Sequence, residues 1–65
     1  SVSADELKKI IKQILVENSK AVEDFKKGKT AVMGFLIGTV VRKLPEVDKQ
    51  LVHTALKRVL GGEDF

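Results

Sequence analysis

"TAVMGFLIGTVVRK", residues 30–43, is the most apolar stretch of the chain, yet it carries Gly34 and Gly38 four residues apart. A glycine in a helix interior costs roughly 1 kcal/mol against alanine. Two of them in the best hydrophobic segment of a 65-residue chain therefore need a reason. On a wheel of about 100° per residue, Met33, Leu36, Ile37, Val40 and Leu44 share an arc of about 100°, the width of a core-facing stripe. Gly34, Gly38, Ala31 and Arg42 fall in a different arc, nearly bare of side chains, with a basic residue at its far end. Phe35 and Val32 border it, and Lys27 is in register if the helix is continued backwards. The pattern predicts a helix over about 29–44. Leu44 precedes Pro45, which disfavours helical backbone there, and Arg42 and Lys43 complement the helix dipole in the last turn.

Towards the N-terminus, "SADELKKIIKQILVEN" opens with Ser3 and Glu6 at capping-box spacing. Leu7, Ile10, Ile11, Ile14 and Leu15 then recur at helical spacing, so a helix is expected over about 4–17. Asn18 or Ser19 can cap a second, short helix over about 19–27, carrying Ala21, Val22 and Phe25 and closed by Gly28 in a left-handed conformation. Asp48 can cap a fourth over about 49–60, with Leu51, Val52, Ala55, Leu56, Val59 and Leu60 as its stripe and Gly61 and Gly62 as its stop. No repeat, low-complexity run or strand alternation interrupts this pattern. The expected fold is all-α: one compact four-helix bundle over residues 1–65.

Composition narrows the function classes. Cysteine is absent, so there is no disulfide framework and no thiolate metal site. Three phenylalanines, without tryptophan or tyrosine, make a poor base-stacking platform. The longest apolar run, 31–41 with its glycines and Thr39 counted, falls well short of the ~20 residues of a membrane span. "SVSADELKK" lacks the apolar region of a signal peptide, and a cytoplasmic protein without a membrane role is expected. Net charge is +3. The cations gather in "KKGK" (26–29), "RK" (42–43) and "KR" (57–58), away from adjacent acids.

Two explanations fit the glycine face. Small residues at four-residue spacing let two helices approach closely. Alternatively, a partner's backbone lies against the face, and flanking cations hold its phosphates if that partner is a nucleic acid.

The stretch "ENSKAVEDFKKGKTAVMGFLIGTVVRK" (17–43) resembles the C-terminal tail domain of the B subunit of the tRNA-dependent (aspartyl/glutamyl-tRNA) amidotransferases, a domain shared with the stand-alone YqeY family. The family pattern runs approximately E-N-P-K-A-V-x-D-[YF]-x-x-G-K-x-x-A-x-G-[FY]-L-[VI]-G-x-[VA]-M-[KR]. Glu17, Asn18, Lys20, Ala21, Val22, Asp24, Phe25, Gly28, Lys29, Gly34, Phe35, Leu36, Ile37 and Gly38 match it in order. Leu51 and Val52 match the start of the family's last helix, with Asp48 in its asparagine cap position. The chain departs from the pattern at Ser19, which replaces a proline, at Thr30, where a charge is common, and at "LPEVDK" (44–49), which replaces a Lys/Gly-rich loop.

The resemblance implies a domain excised from a larger subunit, a start that the opening capping box fits. It implies a parent complex that uses ATP and Mg to convert Glu-tRNA(Gln) or Asp-tRNA(Asn) to Gln- or Asn-tRNA with ammonia from glutamine. It also implies the A and C subunits of that complex as partners, and a tail that contacts the tRNA elbow at its D-loop. No catalytic, metal or cofactor residue is expected within this fragment. His53 stands outside the apolar stripe of its helix and has no paired nucleophile, Glu23 and Asp24 point in different directions, and metal-ligand spacing is missing. The third helix is too apolar, and too poor in Asn, Gln and Arg, to read base edges in DNA. The expected RNA-binding residues are Lys26, Lys27, Lys29 and Thr30 around a helix N-terminus with free N–H groups, Gly34 and Gly38 along the helix, and Arg42 and Lys43 beyond. The alternative is a helical protein-interaction module that docks through its small-residue face.

Overall fold

Helix ends in this chain are decided by side chains and glycines that satisfy the loose backbone groups. In the computed structural model, which describes residues 2–64, four helices follow one another: α1 (Ala4–Glu17), α2 (Ser19–Lys26), α3 (Val32–Lys43) and α4 (Lys49–Leu60). Among the described residues there is no strand, and the bundle is all-α as expected. No helix is long and apolar enough to cross a membrane among them. The Ser3 hydroxyl accepts the Glu6 N–H at 3.1 Å, and the Asp48 carboxylate accepts the Gln50 N–H at 2.7 Å. Asn18 behaves otherwise than expected. Its side chain makes no cap to α2 but turns back, its Nδ2 donating to the Ile14 carbonyl at 2.8 Å, and so closes α1.

Gly28 ends α2 with φ +98°. The Lys29 N–H reaches back to the Asp24 carbonyl at 3.0 Å and the Gly28 N–H to Phe25 at 2.9 Å, the paired bonds of a Schellman motif. The chain then makes a tight turn before regular helix begins. Thr30 N–H bonds to Gly28, Val32 N–H to Lys29 and Met33 N–H to Thr30, each near 3 Å. Regular helix therefore starts at Val32 rather than near Lys29. An L side chain at φ +98° is strained, so Gly28→Ala is expected to destabilise by roughly 1–2 kcal/mol although its Cβ would have open space. Thermal denaturation checks this as a midpoint several degrees lower.

The core consists of Leu7, Ile11 and Ile14 from α1, Met33, Leu36 and Val40 from α3, and Val52, Ala55 and Leu56 from α4. Each set keeps three- or four-residue spacing, so one face of each helix turns inward. α2 contributes no fully buried residue and packs through Ala21 and Phe25. α3 lies against all three other helices. Leu51 departs from expectation: it is 54% exposed. It sits a quarter-turn off the line through Val52, Ala55, Leu56 and Val59, which the core already occupies.

Candidate nucleic-acid interface

α3 buries one face and bares the other. Met33, Leu36 and Val40 are buried, and Gly34 and Gly38 lie about 100° or more around the helix from each of them. Gly34 is exposed and Gly38 half-buried. A Cβ built on either glycine meets no heavy atom of another element within 4 Å. Within this chain, then, the glycines do not serve helix–helix packing. Their face is a strip of main chain open to solvent.

The strip has rims. On one side stand Phe35, 51% exposed, with Thr39 and Arg42. The Thr39 hydroxyl donates to the Phe35 carbonyl at 2.9 Å, and Arg42 Nη2 donates to the same hydroxyl at 3.4 Å. Thr39, about 100° around the helix from Gly38, thus holds the guanidinium at the outer rim of the strip, a role that its sequence position alone did not single out. On the other side lie the half-buried Ile37 and Val41. Val32, expected to border the strip, faces away and packs against the core. Its wheel position is about 160° from Gly34.

The cations expected around the strip fare differently. Lys26 is exposed and makes no ion pair among the described residues. Lys27 Nζ pairs with Glu23 at 3.2 Å, one turn back on α2, and Lys29 Nζ lies 3.9 Å from Asp24, which also holds Lys20 at 3.1 Å. The Lys27 and Lys29 side chains are 62% and 65% exposed. Exposed pairs of this kind are worth about 0–1 kcal/mol, so exchanging a carboxylate for a phosphate costs these lysines little. The helix entrance is less open than expected: the N–H groups of Lys29, Thr30, Val32 and Met33 are already taken by the turn. The positive charge at this entrance is therefore carried by the side chains of Lys26, Lys27 and Lys29.

Lys43 is not brought to the strip. It lies about half a turn from Gly34 on the wheel and lines a separate hollow of ≈ 260 Å³ with Val2, Glu6, Leu44, Pro45 and Glu46. Thr30 lies in the turn before α3 and lines a groove against α4. His53 is exposed. Among the described residues no group of three or more His, Asp or Glu is placed to hold a metal ion.

The family described as the GatB domain matches residues 1–60. The B subunit of the aspartyl/glutamyl-tRNA(Asn/Gln) amidotransferase of Thermoanaerobacter sp. (strain X514) is 46% identical over 58 residues, 88% of this chain and 12% of that protein. The proteins of the same name from Thermomicrobium roseum and Clostridium beijerinckii are 45% and 42% identical, over 82% and 88% of this chain. The chain spans 12% and 13% of their respective lengths. No solved structure matches the chain.

Proposed function

The chain belongs to the GatB domain family, and on that premise we propose that it is the tRNA-gripping appendage of the B subunit of an aminoacyl-tRNA amidotransferase. The observation that carries this proposal is the open main-chain strip at Gly34 and Gly38. A sugar–phosphate backbone can come closest where no side chain intervenes, and phosphate contacts position an RNA without reading its sequence. Lys26, Lys27 and Lys29 stand at one end of α3 and Arg42 near the other. The helix between them is about 18 Å long at 1.5 Å per residue. With its few aromatics, this surface suits recognition of folded shape, as at the elbow and D-loop of a tRNA.

In this proposal the catalytic work lies elsewhere in the parent complex. That complex uses ATP, Mg and glutamine-derived ammonia to amidate Glu-tRNA(Gln) or Asp-tRNA(Asn), with the A and C subunits as partners in the cytoplasm. The fragment contributes affinity and placement of the tRNA.

Salt dependence tests it. Neutralising Lys27 and Lys29 together (Lys27→Gln, Lys29→Gln) is expected to weaken tRNA binding and to lower the log–log salt slope by roughly 2, since each phosphate contact contributes about 0.9. Filter binding of a tRNA transcript to the full-length protein at several salt concentrations measures this. A slope that does not change removes both lysines from the interface. One observation favours a second function, docking onto another protein: Phe35 is half exposed beside the strip. An apolar protein interface of that kind responds weakly to salt.

A further inference from the structure

Between α2, α3 and α4 runs a groove of ≈ 350 Å³ lined by Phe25, Thr30, Met33, His53 and Lys57. Its floor is apolar, from the half-buried Phe25 and the buried Met33. Its rim is polar or basic, and no acid lines it. His53 and Lys57 stand one turn apart on the outer face of α4, both exposed, and Lys57 makes no ion pair among the described residues. Arg58 lines a neighbouring hollow with Thr54, Glu63 and the same Lys57, so the cation of this groove is Lys57 itself. Thr30 belongs both to this groove and to the lysine-rich turn at the entrance to α3, so the two surfaces are continuous.

We infer that this groove receives one unstacked nucleobase of the bound RNA, with Lys57 holding an adjoining phosphate. The inference rests on the RNA-binding function proposed above. A flat apolar ring attached to an anion matches an apolar floor with a cationic rim, and loop bases that splay out of an RNA fold are bound by stacking on aromatic or histidine side chains. Phe25 supplies such a face from α2 and His53 another from α4. An apolar side chain of a protein partner would use the floor but not the cationic rim.

Met33 is the only methionine in the chain, so its labelled ε-methyl is an unambiguous NMR reporter from the groove floor. Titrating the chain with a tRNA transcript is expected to move this resonance upfield through the ring current of a stacked base. Inorganic polyphosphate, a polyanion without bases, is expected to leave it in place while moving the amides of the lysine turn. In tRNA binding, His53→Ala should lose about fivefold or more, the lower end of a base-stacking contribution, with no change in salt slope. Lys57→Ala should lower the slope by about 1. If tRNA moves the Gly34 and Gly38 amides but not the Met33 methyl, RNA uses the strip and the base pocket is wrong. Equal methyl shifts from tRNA and polyphosphate, or unchanged binding in both α4 variants, also overturn the pocket. If tRNA moves neither set of resonances, the RNA-binding function falls and the pocket with it.

Discussion

If the proposed function holds, Gly34→Leu combined with Gly38→Leu is expected to yield a protein that melts higher than its parent and holds tRNA poorly. The two halves of this result have separate causes. Each glycine has helical backbone, Gly38 in the interior of α3 and Gly34 in its first turn, and no neighbour of another element within 4 Å of a new Cβ. Replacing it removes the unfolded-state entropy penalty, worth roughly 0.5–1 kcal/mol per site. Together these contribute about 1–2 kcal/mol, a midpoint rise of roughly 5–15 °C in a domain this small. Long helical side chains lean toward the helix N-terminus, so the new one at position 38 covers the main chain at position 34. The one at position 34 leans toward Ala31 and the lysine turn. The floor of the strip is then raised by a layer of methyl groups, and a backbone that lay on it is pushed away from Arg42 and Lys29. Losing one charge-assisted contact of about 1.5–3 kcal/mol corresponds to a roughly 10- to 100-fold weaker tRNA complex. Calorimetry and a binding titration on the same sample measure both. A lower melting point would mean that the strip is covered in solution, and unchanged affinity would mean that RNA does not lie there.

Most of this geometry follows from patterns visible in the sequence, and the exceptions have physical reasons. Hydrophobic recurrence locates α1, α3 and α4 because each buries a single stripe, α2 follows from its half-buried Ala21 and Phe25 and its stop, and Gly28 is legible because a tight helix stop demands positive φ. The string from Glu17 to Gly38 pointed to the family that the comparisons then showed. What a one-dimensional pattern does not carry is the neighbour across space. Four-residue glycine spacing is the same whether a helix covers it or solvent does, and only the arrangement of the other helices leaves it bare. Lys43 follows Arg42 in sequence, yet a step of about 100° turns it to another face. Asn18 offered a cap by residue type, but the Ile14 carbonyl is the partner that its side chain reaches. The groove of Phe25, Thr30, Met33, His53 and Lys57 draws on three helices and a turn, and no spacing rule joins positions 25 and 57.

Leu36→Ala and Phe35→Ala are neighbours in sequence and are expected to differ in effect by several kcal/mol. Leu36 has no solvent exposure, and its helix lies against the other three. Truncating it removes transfer energy and leaves a cavity, together about 2–5 kcal/mol. A chain of this length has a total stability on the order of 3–10 kcal/mol, with no disulfide to hold it. Leu36→Ala is therefore expected to be largely unfolded at physiological temperature, with tRNA binding lost along with the helices. Phe35, half in solvent, leaves no cavity when truncated, and alanine is the better helix former. Phe35→Ala should stay within about 0.5 kcal/mol of the parent. Denaturant titration followed by circular dichroism separates the two variants, and a stable Leu36→Ala protein would show that α3 is not the centre of the core. The same Phe35 variant also decides between the two partners proposed for the strip. Exposed aromatics are the usual anchors of protein interfaces, so a protein-docking face should lose its partner at Phe35. A phosphate-backbone face depends on the glycine floor and the cations, and keeps most of its tRNA affinity when the ring is removed.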